Sequence, residues 1–126
     1  MNCSVVHIPK SCIKEIKKHG GEFLVSRVYS ILKQVHDQGS LTPTFDPYAG
    51  VLYKRQLVAR KYRLIATVIN NEIYILDFLL RKGKECADLY ENKNKDKLLA
   101  WRDRKHQKNL DNYLKNFSFL RKARLQ

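Results

Sequence analysis

Cysteine is scarce in this 126-residue chain, and the three present, Cys3, Cys12 and Cys86, are odd in number with no close paired spacing. That excludes a disulfide framework and points to reduced thiols in a cytoplasmic protein. The four histidines are scattered, none beside a cysteine or carboxylate at ligand spacing, so no structural metal is expected. No apolar run approaches the roughly 20 residues that cross a bilayer. The opening MNCSVVHIPK lacks the basic segment and long apolar core of a secretion signal, so the reading involves no membrane. Acidic residues are few: 12 against 25 Lys and Arg, for a net charge of +13 and a pI near 9.8. Between Asp46 and Glu72 there is none at all. Such an imbalance repels itself unless a polyanion or an acidic partner compensates it. Gly-rich phosphate loops, paired catalytic carboxylates, nucleophile elbows and zinc signatures are missing as well, and no cofactor is implied. Any enzymatic chemistry must rest on Lys, Arg, Tyr and His.

What is present reads as one α+β domain. Ser4 to Ile8 is a short strand stopped by Pro9. Ser11 suits a helix N-cap, with Ile13 and Ile16 on the inner side, until His19-Gly20-Gly21 breaks the helix. From Glu22 to Asp37 the apolar positions Leu24, Val28, Ile31, Leu32 and Val35 share one helical face. Ser40 to Gly50 reads as a loop. Three strands follow, Leu52–Ala59, Tyr62–Ile69 and Glu72–Leu80, the last two joined at Asn70-Asn71, which suits a two-residue turn. A tight hairpin in that register puts Arg63, Ile65 and Thr67 with Tyr74, Leu76 and Phe78 on one face. Tyr62, Leu64, Ala66, Val68, Ile73, Ile75 and Leu79 fall on the other. Both faces are apolar, so the hairpin is expected to be covered on both sides, with Arg63 the residue packing explains least. Beyond Gly83 helical patterns return, through Cys86, Leu89 and Tyr90, then Leu98, Trp101, Leu110, Tyr113, Leu114, Phe117 and Leu120. From Trp101 to Gln126 the chain carries eight Lys/Arg against two Asp.

Cations mark the hairpin: Lys54, Arg55, Arg60, Lys61, Arg63, Arg81, Lys82 and Lys84. One reaction suits Lys, Arg and Tyr on a rigid sheet. RNA can be cleaved by its own 2′-hydroxyl when a protein orients the backbone, stabilises charge on the phosphate and moves protons. The segments YKRQLVARKYRLIATVINNEIYILDFLLRKG and GKECADLY, with their order of strand, two helices and three antiparallel strands, resemble the RelE/ParE superfamily of toxins from bacterial toxin–antitoxin modules. The RelE branch is the more similar. The resemblance covers about residues 1–98, a RelE-like toxin domain, and leaves 99–126 as a basic C-terminal helical extension packed on it.

The resemblance implies a fold, two helices on a twisted antiparallel sheet, and an activity. A RelE-like toxin is a metal-independent endoribonuclease that cuts mRNA, with the ribosome as its setting and an acidic antitoxin as its partner. By position, Lys54 matches the lysine that helps activate the 2′-hydroxyl, and Arg63 the arginine that neutralises the phosphate. Lys84 stands where the branch has an arginine with the same task, and Tyr90 matches the tyrosine that protonates the leaving oxygen. Arg55, Arg60, Lys61, Arg81 and Lys82 are implied RNA contacts, Arg81 and Lys82 being near enough to replace the missing guanidinium. Two positions depart from the pattern: Gln56 replaces a second lysine, and Lys84 lacks the bidentate fork of arginine. A ParE-like inhibitor of DNA gyrase, a noncatalytic basic nucleic-acid-binding protein and a toxin that has lost activity are the alternatives.

Overall fold

A computed structural model describes residues 5–91 and 94–118. Cys3, Ser4, Phe119 and Leu120, and with the last two the end of the expected extension, lie outside the described residues. The chain opens with β1 (Val6–Pro9) and a long helix, α1 (Lys10–Gln38). β2 (Asp46–Tyr48), β3 (Leu52–Leu57), β4 (Tyr62–Ile69) and β5 (Glu72–Leu80) follow, then α2 (Lys84–Glu91), α3 (Lys95–Asn109) and β6 (Tyr113–Lys115). The six strands form one sheet in the order β2-β3-β4-β5-β1-β6, parallel between β1 and β5 and antiparallel elsewhere. No helix among the described residues is long and apolar enough to cross a membrane.

The break expected at Gly20-Gly21 is a kink inside α1. Gly21 takes φ +64°, which side-chain-bearing residues seldom adopt, and a Cβ on Gly20 would stand 2.4 Å from Leu24 Cβ. The kink lets both halves of α1 lay their apolar stripes on one sheet face. Cys12, Ile16, Leu24, Val28, Ile31, Leu32 and Val35 pack there on Val6, Ile8, Leu57, Leu64, Ala66, Ile73, Ile75 and Phe78. On the other face α2 and α3 cover a second core of Leu52, Ile65, Leu76, Leu79, Cys86, Leu89, Leu98 and Trp101. The hairpin is therefore covered on both sides, as its apolar faces require.

The register expected for β4 and β5 holds only near the turn. Asn70 and Asn71 both take positive φ, and Ala66, Thr67 and Val68 face Ile75, Tyr74 and Ile73. Between Ile65 and Ala66 the register shifts, so Ile65 pairs with Asp77 and Leu64 with Phe78. The bulge inserts one residue into β5 and reverses the faces beyond it. Phe78 thereby joins Leu64 beneath α1 and Leu79 joins Arg63's face, the reverse of the expected assignment.

The C-terminal part is more than a helix, because β6 adds antiparallel to β1 with Ile8 opposite Leu114. α3 is tied to β5 by Asn109, whose buried amide donates to the Leu76 carbonyl at 3.0 Å. Lys105 binds Asp77 of β5 at 2.9 Å and Glu85 of α2 at 2.9 Å.

Candidate active site

Alternation along β3 sends Lys54 and Gln56 to the α2 side of the sheet and Arg55 to the α1 side. Arg63 stands directly across from Gln56 in the β3–β4 ladder. α2 crosses above and lowers Cys86, Ala87 and Tyr90 toward them. The result is an open cleft of about 280 Å³ lined by Lys54, Gln56, Arg63, Arg81, Cys86, Ala87 and Tyr90.

Arg63 is 7% exposed, and its guanidinium is held by backbone. Nη1 donates to the carbonyl of Arg60 at 2.7 Å and to that of Tyr62 at 3.1 Å. The first carbonyl belongs to the β3–β4 connection, where Val58, Ala59 and Arg60 all have φ between 49° and 71°, and the second to the first residue of β4. Left-handed backbone at three residues with side chains, one of them β-branched, is an unfavourable conformation that the surrounding structure must hold. It turns the Arg60 carbonyl toward Arg63 and ends β3 at Leu57, two residues before the expected limit. Arg63 is thus both cation of the cleft and anchor of the turn, a structural role that its pattern position did not suggest.

Tyr90 carries the cleft's phenol. Its hydroxyl is buried and makes no hydrogen bond of sound geometry among the described residues. Burial pushes its pKa up to about 12, with the nearby Arg63 guanidinium pulling the other way. The hydroxyl therefore keeps its proton at neutral pH and has a donor to offer. Burial likewise raises the Cys86 thiol, an effect that Arg63 and Lys54 oppose.

The side chain that ties these groups together is Tyr48 on β2. Its hydroxyl donates to the carbonyls of Leu89 and Tyr90 at 3.0 and 3.1 Å, fixing the end of α2. Its ring meets the Tyr90 ring edge-on at 5.3 Å. The Lys54 ammonium lies 4.8 Å from the Tyr90 ring centre and 5.7 Å from that of Tyr48, within cation–π range. Nothing in the sequence marks Tyr48: it sits in a stretch read as loop, on a strand of three residues too short to show alternation.

Of the other expected residues, Arg81 lines the cleft. Lys84 does not. It lies on the opposite flank of α2, facing a hollow between α2 and α3. Arg55 points to the other sheet face and donates to the Thr44 carbonyl at 3.1 Å. Arg60, Lys61 and Lys82 are exposed around the rim of that end of the sheet. Among the described residues no three His, Cys, Asp or Glu side chains come together as a metal site.

No protein-family model matches this chain, and no curated protein does. Among solved structures the fold is similar to that of the E. coli toxin RelE, determined in the free state as a mutant with two arginines replaced by alanine. The TM-score is 0.50 at 18% identity, over 70% of this chain and 93% of that one. The chain therefore has a RelE-like fold, at a sequence identity that shows the fold alone.

Proposed function

We propose that the chain is the toxin of a toxin–antitoxin module and acts as an endoribonuclease on mRNA, with the ribosome presenting the substrate. The observation that carries this reading is the convergence of Lys54, Arg63, Arg81 and Tyr90 on one open cleft. In the proposed reaction the 2′-oxygen attacks the adjacent phosphorus, and its proton passes to solvent. The Lys54 ammonium lowers the cost of that step by stabilising the developing alkoxide. Arg63 and Arg81 neutralise the pentacoordinate phosphate. As the bond to the 5′-oxygen breaks, Tyr90 gives that oxygen its proton, and solvent reprotonates the phenolate. The products are a 2′,3′-cyclic phosphate and a 5′-hydroxyl. Support for the proton donor comes from the buried Tyr90 hydroxyl, whose proton has no acceptor among the described residues and for which a leaving oxygen would supply one.

This assignment gives Arg81 the place the sequence offered to Lys84. It leaves Gln56 as a neutral wall of the cleft, able to hydrogen bond but adding no charge.

Overexpression followed by primer-extension mapping of transcripts tests the reading. Cuts that depend on translation and vanish with Arg63→Ala support it. Intact transcripts accompanied by a DNA-damage response would instead mark a gyrase inhibitor, and RNA binding without cuts a noncatalytic binder.

A further inference from the structure

A second hollow lies outside the cleft, on the far flank of α2. It occupies about 660 Å³ between α2 and α3, larger than the cleft and within the usual range of ligand sites. Leu89, Leu98 and Trp101 form its floor, and Lys84, Lys97 and Arg104 stand around it. All three cations are exposed. Two acids also line it, Glu85, which Lys105 already binds, and Asp88. An apolar floor edged with cations matches the two halves of a nucleotide, a base with apolar faces and an anionic phosphate.

The hollow is continuous with the cleft along the chain. Arg81 lines the cleft and Lys84 lines the hollow, and only Lys82 and Gly83 separate them. Three residues span at most about 11 Å, and Arg81, Lys82 and Lys84 are exposed throughout. A single strand leaving the cleft around the start of α2 thus stays in contact with cations until it reaches the hollow. This continuity favours a polyanionic strand over an acidic protein segment, which would have no need of the cleft.

We propose that the α2–α3 hollow is a second binding site for the RNA strand held in the cleft, taking nucleotides that flank the scissile phosphate. The proposal rests on the ribonuclease reading for the identity of the strand, but binding can be measured without cleavage. Lys84 then serves RNA retention, with Lys97 and Arg104 as its partners.

The test uses the full chain and RNA oligomers made uncleavable by a 2′-deoxy sugar at the scissile position. Fluorescence anisotropy over a salt series compares a trinucleotide, which fills the cleft alone, with a longer oligomer that reaches the hollow. Lys97→Gln/Arg104→Gln should weaken the longer oligomer about tenfold at low salt. It should also reduce the magnitude of its log K–log salt slope by about 1.4, two phosphate contacts at about 0.7 each. Ala100→Trp, which fills the hollow and leaves every cation in place, should weaken only the longer oligomer. Circular dichroism and thermal melting confirm that both variants are folded. An unchanged salt slope, equal losses for both lengths, or an Ala100→Trp variant that binds the longer oligomer normally would each overturn the proposal. A hollow that serves an acidic protein partner gives the first and third of these results. If no cut is ever found in cells while the length-dependent losses appear, the cleft's chemistry fails and the strand-binding site stands.

Discussion

The ammonium of Lys54 stands 4.8 Å from the ring centre of Tyr90, a contact that joins the sheet to the helix above it. One of these residues serves the attacking oxygen in the proposed reaction and the other the leaving oxygen. Their relative placement is set by Tyr48, which touches both and holds the backbone end of α2. The cleft is thus assembled from β3, β4 and α2, with Tyr48 of β2 bracing α2 beside it. Changing how Tyr48 holds them should alter catalysis without removing a charged group.

Tyr48→Phe keeps the ring, and with it the contacts to Tyr90 and Lys54, but loses both hydrogen bonds to α2. Stability should fall by about 1 kcal/mol. Cleavage should show a kcat lowered severalfold with KM unchanged, because the cations that bind the phosphate remain and only their alignment with Tyr90 suffers. Denaturant melts and steady-state kinetics check this. A KM effect alone would mean that Tyr48 contributes to binding and not to alignment.

Arg63 carries two loads, and its substitutions should separate them. Arg63→Ala removes the donor to the Arg60 and Tyr62 carbonyls and should cost about 1–3 kcal/mol of stability. It should also lower cleavage by roughly 10²–10³-fold through loss of charge stabilisation. Arg63→Lys keeps the charge but loses the planar fork, so cleavage should recover only in part. Equal stability of Arg63→Ala and the parent chain in urea would rule out the anchoring role.

How much of this was legible in the sequence follows from the range of each signal. The Asn70-Asn71 turn, the Gly21 kink and the two-sided burial of the hairpin are local or periodic features, and periodicity carried them. Phe78 and Leu79 exchange their expected faces because a bulge leaves no mark in a strand apolar on both faces, such as YILDFLL with its single Asp77. β6 escaped notice since three residues of alternation are too few to separate from a loop. For the cleft, the family pattern supplies Lys54, Arg63 and Tyr90 and marks Gln56 as a departure from it. The same pattern groups Lys84 with them, but α2 begins at that residue and turns its side chain to the opposite flank.

Tyr90→Phe isolates a proton from a ring. Because the buried hydroxyl has no acceptor among the described residues, its removal should leave stability unchanged or slightly raised, while cleavage falls by about 10²-fold or more. The phenol's pKa is raised in the folded chain, to about 12 from an ordinary 10.0. The protonated phenol is therefore neutral to stability below pH 10, and the folded chain loses stability as pH rises from 10 toward 12, since the unfolded chain releases the proton first. Ultraviolet titration of the parent chain against Tyr90→Phe should show one tyrosine ionising late. A difference spectrum with a midpoint near 10 would contradict the buried placement.

The Asp77–Lys105–Glu85 cluster fastens α3 to the sheet and α2, and its pH dependence has an unusual sign. Burial, then the hydrogen bond to Glu85, pushes Asp77 up to about 6 from an ordinary 3.8, although Lys105 opposes the shift. The unfolded chain then gives up this proton before the folded one does, so Asp77 costs stability as pH rises from about 4 through 6. Burial pushes Glu85 up, but the hydrogen bonds from Asp77 and Lys105 together outweigh it and shift it down, so it contributes in the ordinary direction above its usual range. In Asp77→Asn the first effect disappears. Relative to the parent chain, the variant's urea midpoint should therefore rise between pH 4.5 and pH 7, whatever its offset from losing the Lys105 contact. Comparing the two chains removes the pH dependence common to both, including the repulsion of a chain with net charge +13. Parallel midpoints across that interval would show that Asp77 ionises as an ordinary surface carboxylate and that the cluster holds α3 by packing alone.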